Sequence, residues 1–401
     1  MSHTKSETGD HAFKALDAFQ IEIPSWGFAN TGTRFGKFVQ PAAASALEEK
    51  FSDAAEVHRL TGCTPTIALH VLWDLPNGIA DVAEVQRLEK RFGIRAGSIN
   101  PNLFQDQEYK FGSLCNPSRE IRDHATRHIL DSIEIAKHLG CRDVSLWLAD
   151  GSNYPGTQSI RKRIEWLNEA LRTVHDHLAS DQRLLVEYKP FEPAFYHTDI
   201  ADWGMSSHLC HEAGPQARVL VDTGHHYLSQ NIEQIVAWLL HIGLLGGFHF
   251  NDRRYADDDL TLGSIDPYQV FRIFHEICLQ LYSSPSRDPL HAVPFMIDQS
   301  HNLKGKIEAT VQTVVAAQEL WLKAALVDRE QLAALQQSCD LVGAEELFRG
   351  AFWRDVRPLA AAWRETRGLP ADPLSALRED GYVERIARER GSRQSAVSSY
   401  A

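Results

Sequence analysis

Four side chains in this sequence pair metal-binding chemistry with one recurring local setting. Glu187 ends the apolar run of LLVEYKP, Asp222 that of VLVDTGHH, His249 that of GGFHFND and Asp298 that of PFMIDQS. Each stands before a turn or a helical stretch. If the four runs are parallel strands lying side by side, three carboxylates and an imidazole converge at their carboxyl ends. Buried anions gathered in this way are costly unless a cation joins them. The pattern therefore reads as a metal site.

The residues around these four extend the reading. Glu187 and Lys189 are two apart on one strand and so point to the same side, where a metal and an ammonium can grip one substrate oxygen. His225 stands three residues after Asp222, across Gly224, and suits a second cation that shares Asp222. Asp257 and Asp259 lie two apart in the loop after His249 and can hold a cation between them. His226 reads as a supporting or core histidine. Oxygen ligands with some imidazole suit Mn²⁺, Mg²⁺ or Co²⁺, and the lack of cysteine at these positions argues against structural zinc. His70 ends the second strand, with Asp74 placed to orient it. Trp26, Trp73, Phe104 and Trp147 fall at or just past strand ends, where they can wall a polar mouth, face the carbon side of a sugar and exclude water.

The elements that must position these groups follow a regular alternation. From about residue 20 to 325, short apolar runs alternate with long amphipathic ones, giving eight strand–helix units beginning at IEIPSW (21–26). Runs that are nearly all apolar are buried on both faces, and helices between them force parallel pairing. Eight such units closed on themselves form a (β/α)8 TIM barrel, with its chemistry at the carboxyl ends of the strands. The rival, an open doubly wound sheet, usually carries a glycine-rich phosphate loop after its first strand; PSWGFANTGTRFG has no such motif. Residues 1–19 form an N-terminal segment, 20–325 the catalytic barrel and 326–390 a C-terminal helical extension. Residues 391–401 read as a disordered tail.

Composition narrows the partners. The chain has 401 residues, 43% hydrophobic and 23% charged, with a formal net charge of −12. That charge disfavours nucleic acid or an anionic membrane. The six cysteines are scattered without paired spacing and read as reduced. The start lacks the apolar segment of a secretory signal, and no apolar run is long enough to span a bilayer. The expectation is a cytoplasmic protein.

Taken together, these motifs resemble the xylose-isomerase-like TIM barrels. The likeness is to the ketol isomerases among them, through Glu187-Tyr188-Lys189, Asp222-Thr-Gly-His225 and Asp257-Asp258-Asp259. Within that group the chain is similar to the L-rhamnose isomerases of the bacterial, broad-range type, through PSWGFANTGTRF, INPNLFQDQEYKFGSLCNP, LWLADGSNYPG, VDTGHH and FHFNDRRYADDDL. Xylose isomerases proper carry an acidic residue where His249 stands, and this departure favours the rhamnose-type subgroup.

The resemblance implies two divalent ions per chain, with Mn²⁺ foremost. Glu187, Asp222, His249 and Asp298 would hold the structural ion. Asp222, His225, Asp257 and Asp259 would hold the catalytic one. Lys189, His70 and Asp298 are the candidate catalytic residues: Lys189 would bind a substrate oxygen and His70 would assist ring opening. Trp26, Trp73, Phe104, Trp147, Lys189 and His225 would line the sugar site. The implied reaction is metal-assisted hydrogen transfer between C1 and C2, from L-rhamnose to L-rhamnulose or from D-allose to D-allulose. The likeness also implies a homotetramer in which the loop Asn30–Phe38 reaches a neighbour's site.

Three other readings remain at this level. A ketose 3-epimerase of the same fold needs two free carboxylates and one metal. A nuclease on a related barrel needs a basic face. A sugar-binding protein without catalysis needs neither metal.

Overall fold

The computed structural model describes residues 2–30, 38–191, 197–283 and 292–391. Eight parallel strands form the barrel: Ile23–Pro24, Thr66–His70, Arg95–Asn100, Asp143–Leu146, Arg183–Glu187, Ala217–Asp222, Leu245–Phe250 and Phe295–Ile297. They follow chain order, and a parallel bridge between Glu22 and Met296 brings the last strand back to the first. Ile23, Ile67, Ile99, Val144, Leu184, Val186, Val219, Val221 and Phe248 are buried, as the near-continuous apolar runs require. Connecting helices such as Leu47–Thr61, Arg119–Leu139 and Lys306–Ala325 cover the outside. Gly62 and Gly140 stop two of them in the left-handed conformation, at φ 72° and 70°, where a Cβ is penalised.

Register places the chemistry. Asp222 pairs with His249 across the sixth and seventh strands, and His249 pairs with Met296 on the eighth. Asp298 lies two residues past Met296, at the same rim.

Two element boundaries differ from the sequence reading. The first strand is only Ile23–Pro24, and Ser25–Phe28 is a 3₁₀ turn. Pro24 has no N–H for a ladder and leads the chain into the turn that sets Trp26 at the rim. The fourth strand stops at Leu146 rather than Asp150. Beyond it, Gly151–Ser152 pairs antiparallel with His197–Thr198 as a small flap over the rim.

The N-terminal segment contains a helix, Ser2–Ala18, which buries Ala12, Ala15 and Leu16. Its many polar residues hide that stripe in the sequence. The C-terminal helices, beginning with Arg329–Gln337 and ending with Tyr382–Gly391, pack back on the same chain. Phe348 and Phe352 pack edge-on or tilted against Tyr268 and Phe271 of the helix Pro267–Ser283, whereas Trp353 is exposed. Arg390 makes a two-pronged pair with buried Asp53 at 2.8 and 2.9 Å. All six cysteines are free. Among the described residues no helix is long and apolar enough to cross a membrane.

Candidate functional site

Glu187 lies at the centre of the rim cluster. Its Oε1 is 3.1 Å from His225 Nδ1 and its Oε2 is 3.3 Å from His249 Nδ1. The same His249 nitrogen lies 3.7 Å from Asp298 Oδ2 and 3.9 Å from Asp222 Oδ2. It is enclosed, yet makes no hydrogen bond of good geometry. Donor atoms of Glu187, Asp222 and His249 all lie within 4.8 Å of one another, close enough to hold one ion. Asp222, His225 and Asp257 form a second such group, with His225 Nε2 at 3.4 Å from Asp257 Oδ2. Asp222 therefore belongs to both.

Each donor is held by a partner. Nδ1 of His225 also donates to the Tyr188 carbonyl at 3.1 Å, which turns Nε2 towards Asp222 and Asp257. Asp222 Oδ1 accepts from the Gly224 amide at 2.6 Å and the Asn251 side chain at 3.0 Å. A Cβ on Gly224 would lie 2.5 Å from Asn251 Oδ1 and 2.9 Å from Asp257 Oδ1, so a larger residue would intrude on the cluster. Asp298 accepts from the Trp26 indole at 2.9 Å. Lys189 reaches Asp257 Oδ2 at 2.5 Å and lies 5.4 Å from the centre of the Trp147 ring. Tyr188, between Glu187 and Lys189, points the other way and meets His226 Nε2 through its hydroxyl at 2.6 Å.

The electrostatics show an excess of negative charge. Burial pushes the Asp222 carboxyl up to about 7 against the pull of His225, and Glu187, Asp257 and Asp298 add to the push. Burial also raises Asp259 and Asp298, with neighbouring carboxylates contributing. Burial disfavours the His249 cation, but Glu187, Asp298 and Asp222 overcome it and lift the ring to about 9. Protons thus serve where carboxylates crowd, and a divalent cation can displace them. The oxygen-rich donors with imidazole and the enclosed Nδ1 of His249 fit such an ion.

The aromatic residues form a continuous band beside the cluster. Ring centroids run from Trp26 to His70 at 4.6 Å, His70 to Trp73 at 4.3 Å, His70 to Phe104 at 5.8 Å and Phe104 to Trp147 at 5.0 Å. Trp73, Phe104 and Trp147 remain half-buried and face the mouth.

Some expected placements change. Asp74 does not orient the His70 ring. Its carboxylate takes Lys50 at 2.5 Å, the Ser25 hydroxyl at 2.6 Å and the His70 backbone amide at 2.9 Å. His70 Nδ1 is enclosed without a partner, and burial lowers the ring to about 4. Asp257 joins the cluster directly. Asp259 sits at φ 48°, half-buried, and faces Asp257, Asp298 and Asp222 through their charges. Asp258, between them, folds the loop by accepting the amides of Arg254, Tyr255 and Ala256. Asn251 was not singled out in the sequence. Its place two residues after His249, in HFND, was the available signal. Loop residues 31–37 lie outside the described residues.

A third group, Cys115, Asp150 and Asp199, also has ligand-like spacing. Arg163 already balances Asp199, and Asp150 accepts three hydrogen bonds from Ser113 and Cys115. It holds loops together.

The chain belongs to the xylose isomerase-like TIM barrel family, whose model matches residues 67–280. This places it among sugar isomerases and epimerases, as an enzyme. A protein of Mesorhizobium japonicum described as a probable sugar isomerase is 39% identical, over 94% of this chain and 87% of its own length. A similarly described protein of Rhizobium meliloti is 38% identical over 93% and 86%. The xylose isomerase of Thermus thermophilus is 26% identical over 62% of this chain and 68% of its own. Among solved structures, a 3-keto-D-glucoside 4-epimerase from E. coli shares the fold with TM-score 0.53 at 14% identity, covering 76% of this chain and 99% of its own. A D-allulose 3-epimerase from Methylomonas sp. does so with TM-score 0.50 at 16% identity, covering 80% and 96%.

Proposed function

We propose that this chain is a metal-dependent aldose–ketose isomerase that interconverts L-rhamnose and L-rhamnulose and accepts other aldoses, D-allose among them. The observation that carries the reading is the sharing of Asp222 between two buried acid–histidine groups. One ion explains one group; the second group argues for a pair. The relatives described as probable sugar isomerases support the reaction class. The choice of sugar rests on the motif resemblance, above all VDTGHH and FHFNDRRYADDDL.

Two divalent ions per chain belong to the proposal, Mn²⁺ first, with Co²⁺ or Mg²⁺ as alternatives. Glu187, Asp222, His249 and Asp298 would hold one, and Asp222, His225, Asp257 and Asp259 the other. Bound there, the cations would supply Lewis acidity to the sugar's reacting oxygens.

The chain's own groups do the rest. Trp26, Trp73, Phe104 and Trp147 pack on the carbon face of the sugar and keep water out. Lys189, steadied by Asp257, donates a hydrogen bond to a substrate oxygen and favours the developing alkoxide. The neutral His70 ring, with Nδ1 unpartnered, exchanges a proton with the ring oxygen or O1 as the sugar opens. Hydrogen then passes directly between C1 and C2. Among the rim carboxylates, Glu187 engages histidines, Asp222 Asn251, Asp257 Lys189 and Asp298 Trp26. Among the described residues only Asp259 has no such partner, and the proposal gives it to the second ion. None is left as a base at carbon.

A cytosolic homotetramer completes the proposal. The test is a panel of aldoses, including L-rhamnose, D-allose and D-xylose, assayed for ketose after exhaustive chelation and again after Mn²⁺ is restored. Ketose formed from L-rhamnose only with Mn²⁺ supports the reading. Turnover untouched by chelation, or epimerisation of D-allulose without any aldose product, defeats it.

A further inference from the structure

The barrel is open from below. A cavity of about 540 Å³ runs in from the amino-terminal ends of the strands, and Glu22, Gly97, Ser98, Arg142 and Ser145 line it. Its deep end reaches His249. Barrel interiors of this fold are normally filled by layers of large side chains. Here small residues leave the space. A Cβ on Gly97 would fall 1.3 Å from Glu22 Oε2, so the glycine makes room for that carboxylate. Glu22 is held in place by the Ser98 amide at 3.1 Å and the Ser98 hydroxyl at 2.5 Å.

Two polar atoms in this cavity lack protein partners. The ring of His249 turns Nδ1 to the carboxylates above, which leaves Nε2 on the opposite edge. Among the described residues neither Nε2 of His249 nor the Ser145 hydroxyl has a hydrogen-bond partner, and both residues line the cavity. A polar cavity of this size holds water readily. A metal-ligating histidine almost always donates its other N–H to a fixed acceptor, and that bond sets which nitrogen is free to bind.

We propose that the cavity is a water-filled approach from the amino-terminal face, and that its water, ordered by Glu22, Ser98 and Ser145, accepts the Nε2–H of His249 and so keeps Nδ1 available to a cation. The inference rests on the reading of His249 as a ligand. Glu22, Ser98 and Ser145 are then positioning residues that act through water, with no contact to the sugar.

Ser145→Leu fills the passage, and Ser145→Ala leaves it open. Titration of the metal-free protein with Mn²⁺ is expected to show affinity reduced about 10-fold to 100-fold in the first variant, and by a smaller factor in the second, which keeps the space for water and loses one contact to it. Histidine ¹⁵N spectra of the protein saturated with diamagnetic Mg²⁺ are expected to show His249 losing its Nε2–H tautomer in Ser145→Leu alone. Unchanged affinity and tautomer in a folded Ser145→Leu protein overturn the proposal. Should that variant not fold, a crystal structure of the native chain decides. Ordered water within hydrogen-bond distance of Nε2 supports the proposal, and a dry cavity overturns it. His249→Ala separates the two claims: if it binds Mn²⁺ as the native chain does, His249 is no ligand and the reading beneath the proposal fails as well.

Discussion

The Lys189 ammonium and the Asp257 carboxylate, from the fifth strand end and the loop after the seventh, meet at 2.5 Å inside the rim. Both are buried. Burial alone would favour the neutral amine, but Asp257, Asp259 and Asp222 outweigh it and raise the ammonium above its usual value. The lysine is thus charged, fixed and aimed into the mouth.

Lys189→Met removes that charge and keeps the side-chain volume. Turnover of L-rhamnose is expected to fall by about 100-fold or more, in line with loss of one donor to a developing oxyanion. Metal content, measured by atomic absorption, is expected to hold, because the variant leaves the carboxylates in place and removes a competing cation. Unchanged turnover would strip Lys189 of its role. Lost metal would make it a structural support of the Asp257 loop.

Asp222 and Asp257 separate the two ions. Asp222→Asn touches both groups, and Asp257→Asn only the second. Calorimetric titration with Mn²⁺ is expected to give two ions for the native chain, one for Asp257→Asn, and binding weakened at both sites for Asp222→Asn. One ion in the native chain would favour the epimerase reading, which needs only one. Two ions in Asp257→Asn would exclude Asp257 as a ligand.

The eight-fold alternation was legible because a barrel strand buried on both faces must be apolar almost throughout. The site residues stood out for the same reason: Glu187, Asp222 and His249 interrupt those runs at their ends. Asn251 was hidden. An amide in a polar loop gives no signal until Asp222 is seen 3.0 Å away. Asp74 turns away from the His70 ring: adjacency in sequence does not fix where a carboxylate points, and Lys50, 24 residues earlier, captures it. Glu22 passed for an ordinary member of IEIPSW. Only closure of the barrel shows that its side chain occupies space left by Gly97, 75 residues away in the sequence.

Phe104 tests the aromatic band. Its ring touches His70, Trp73 and Trp147, and it remains half-buried. Phe104→Ala is expected to raise KM for L-rhamnose roughly threefold to tenfold, as loss of about 1 kcal/mol of sugar packing predicts. Thermal unfolding should shift little, because the ring faces the mouth. A large drop in Tm with KM unchanged would make Phe104 a core residue.

His275 offers a pH dependence away from the site. It lies on the helix Pro267–Ser283, packs against Phe348 at 4.8 Å and keeps Nδ1 enclosed without a partner. Burial first, and Arg329 second, lower the ring from 6.5 to about 4. Folding therefore favours the neutral form, and between these values the unfolded chain binds more protons. The stability this ring contributes is complete above about pH 6.5 and is lost as pH falls towards 4. At pH 5 the loss is about 2 kcal/mol. His70 and His301, lowered to about 4 by burial, act in the same direction, whereas Asp222, Asp259 and Asp298, raised by burial, act in the opposite one, so a single-residue variant is needed to see the effect. Denaturant unfolding of His275→Gln at pH 7 and pH 5 isolates one ring. The variant should be less stable than the native chain at pH 7, and at pH 5 the gap should close or reverse. A gap of equal size at both values would mean that the His275 ring titrates alike in the folded and unfolded chains.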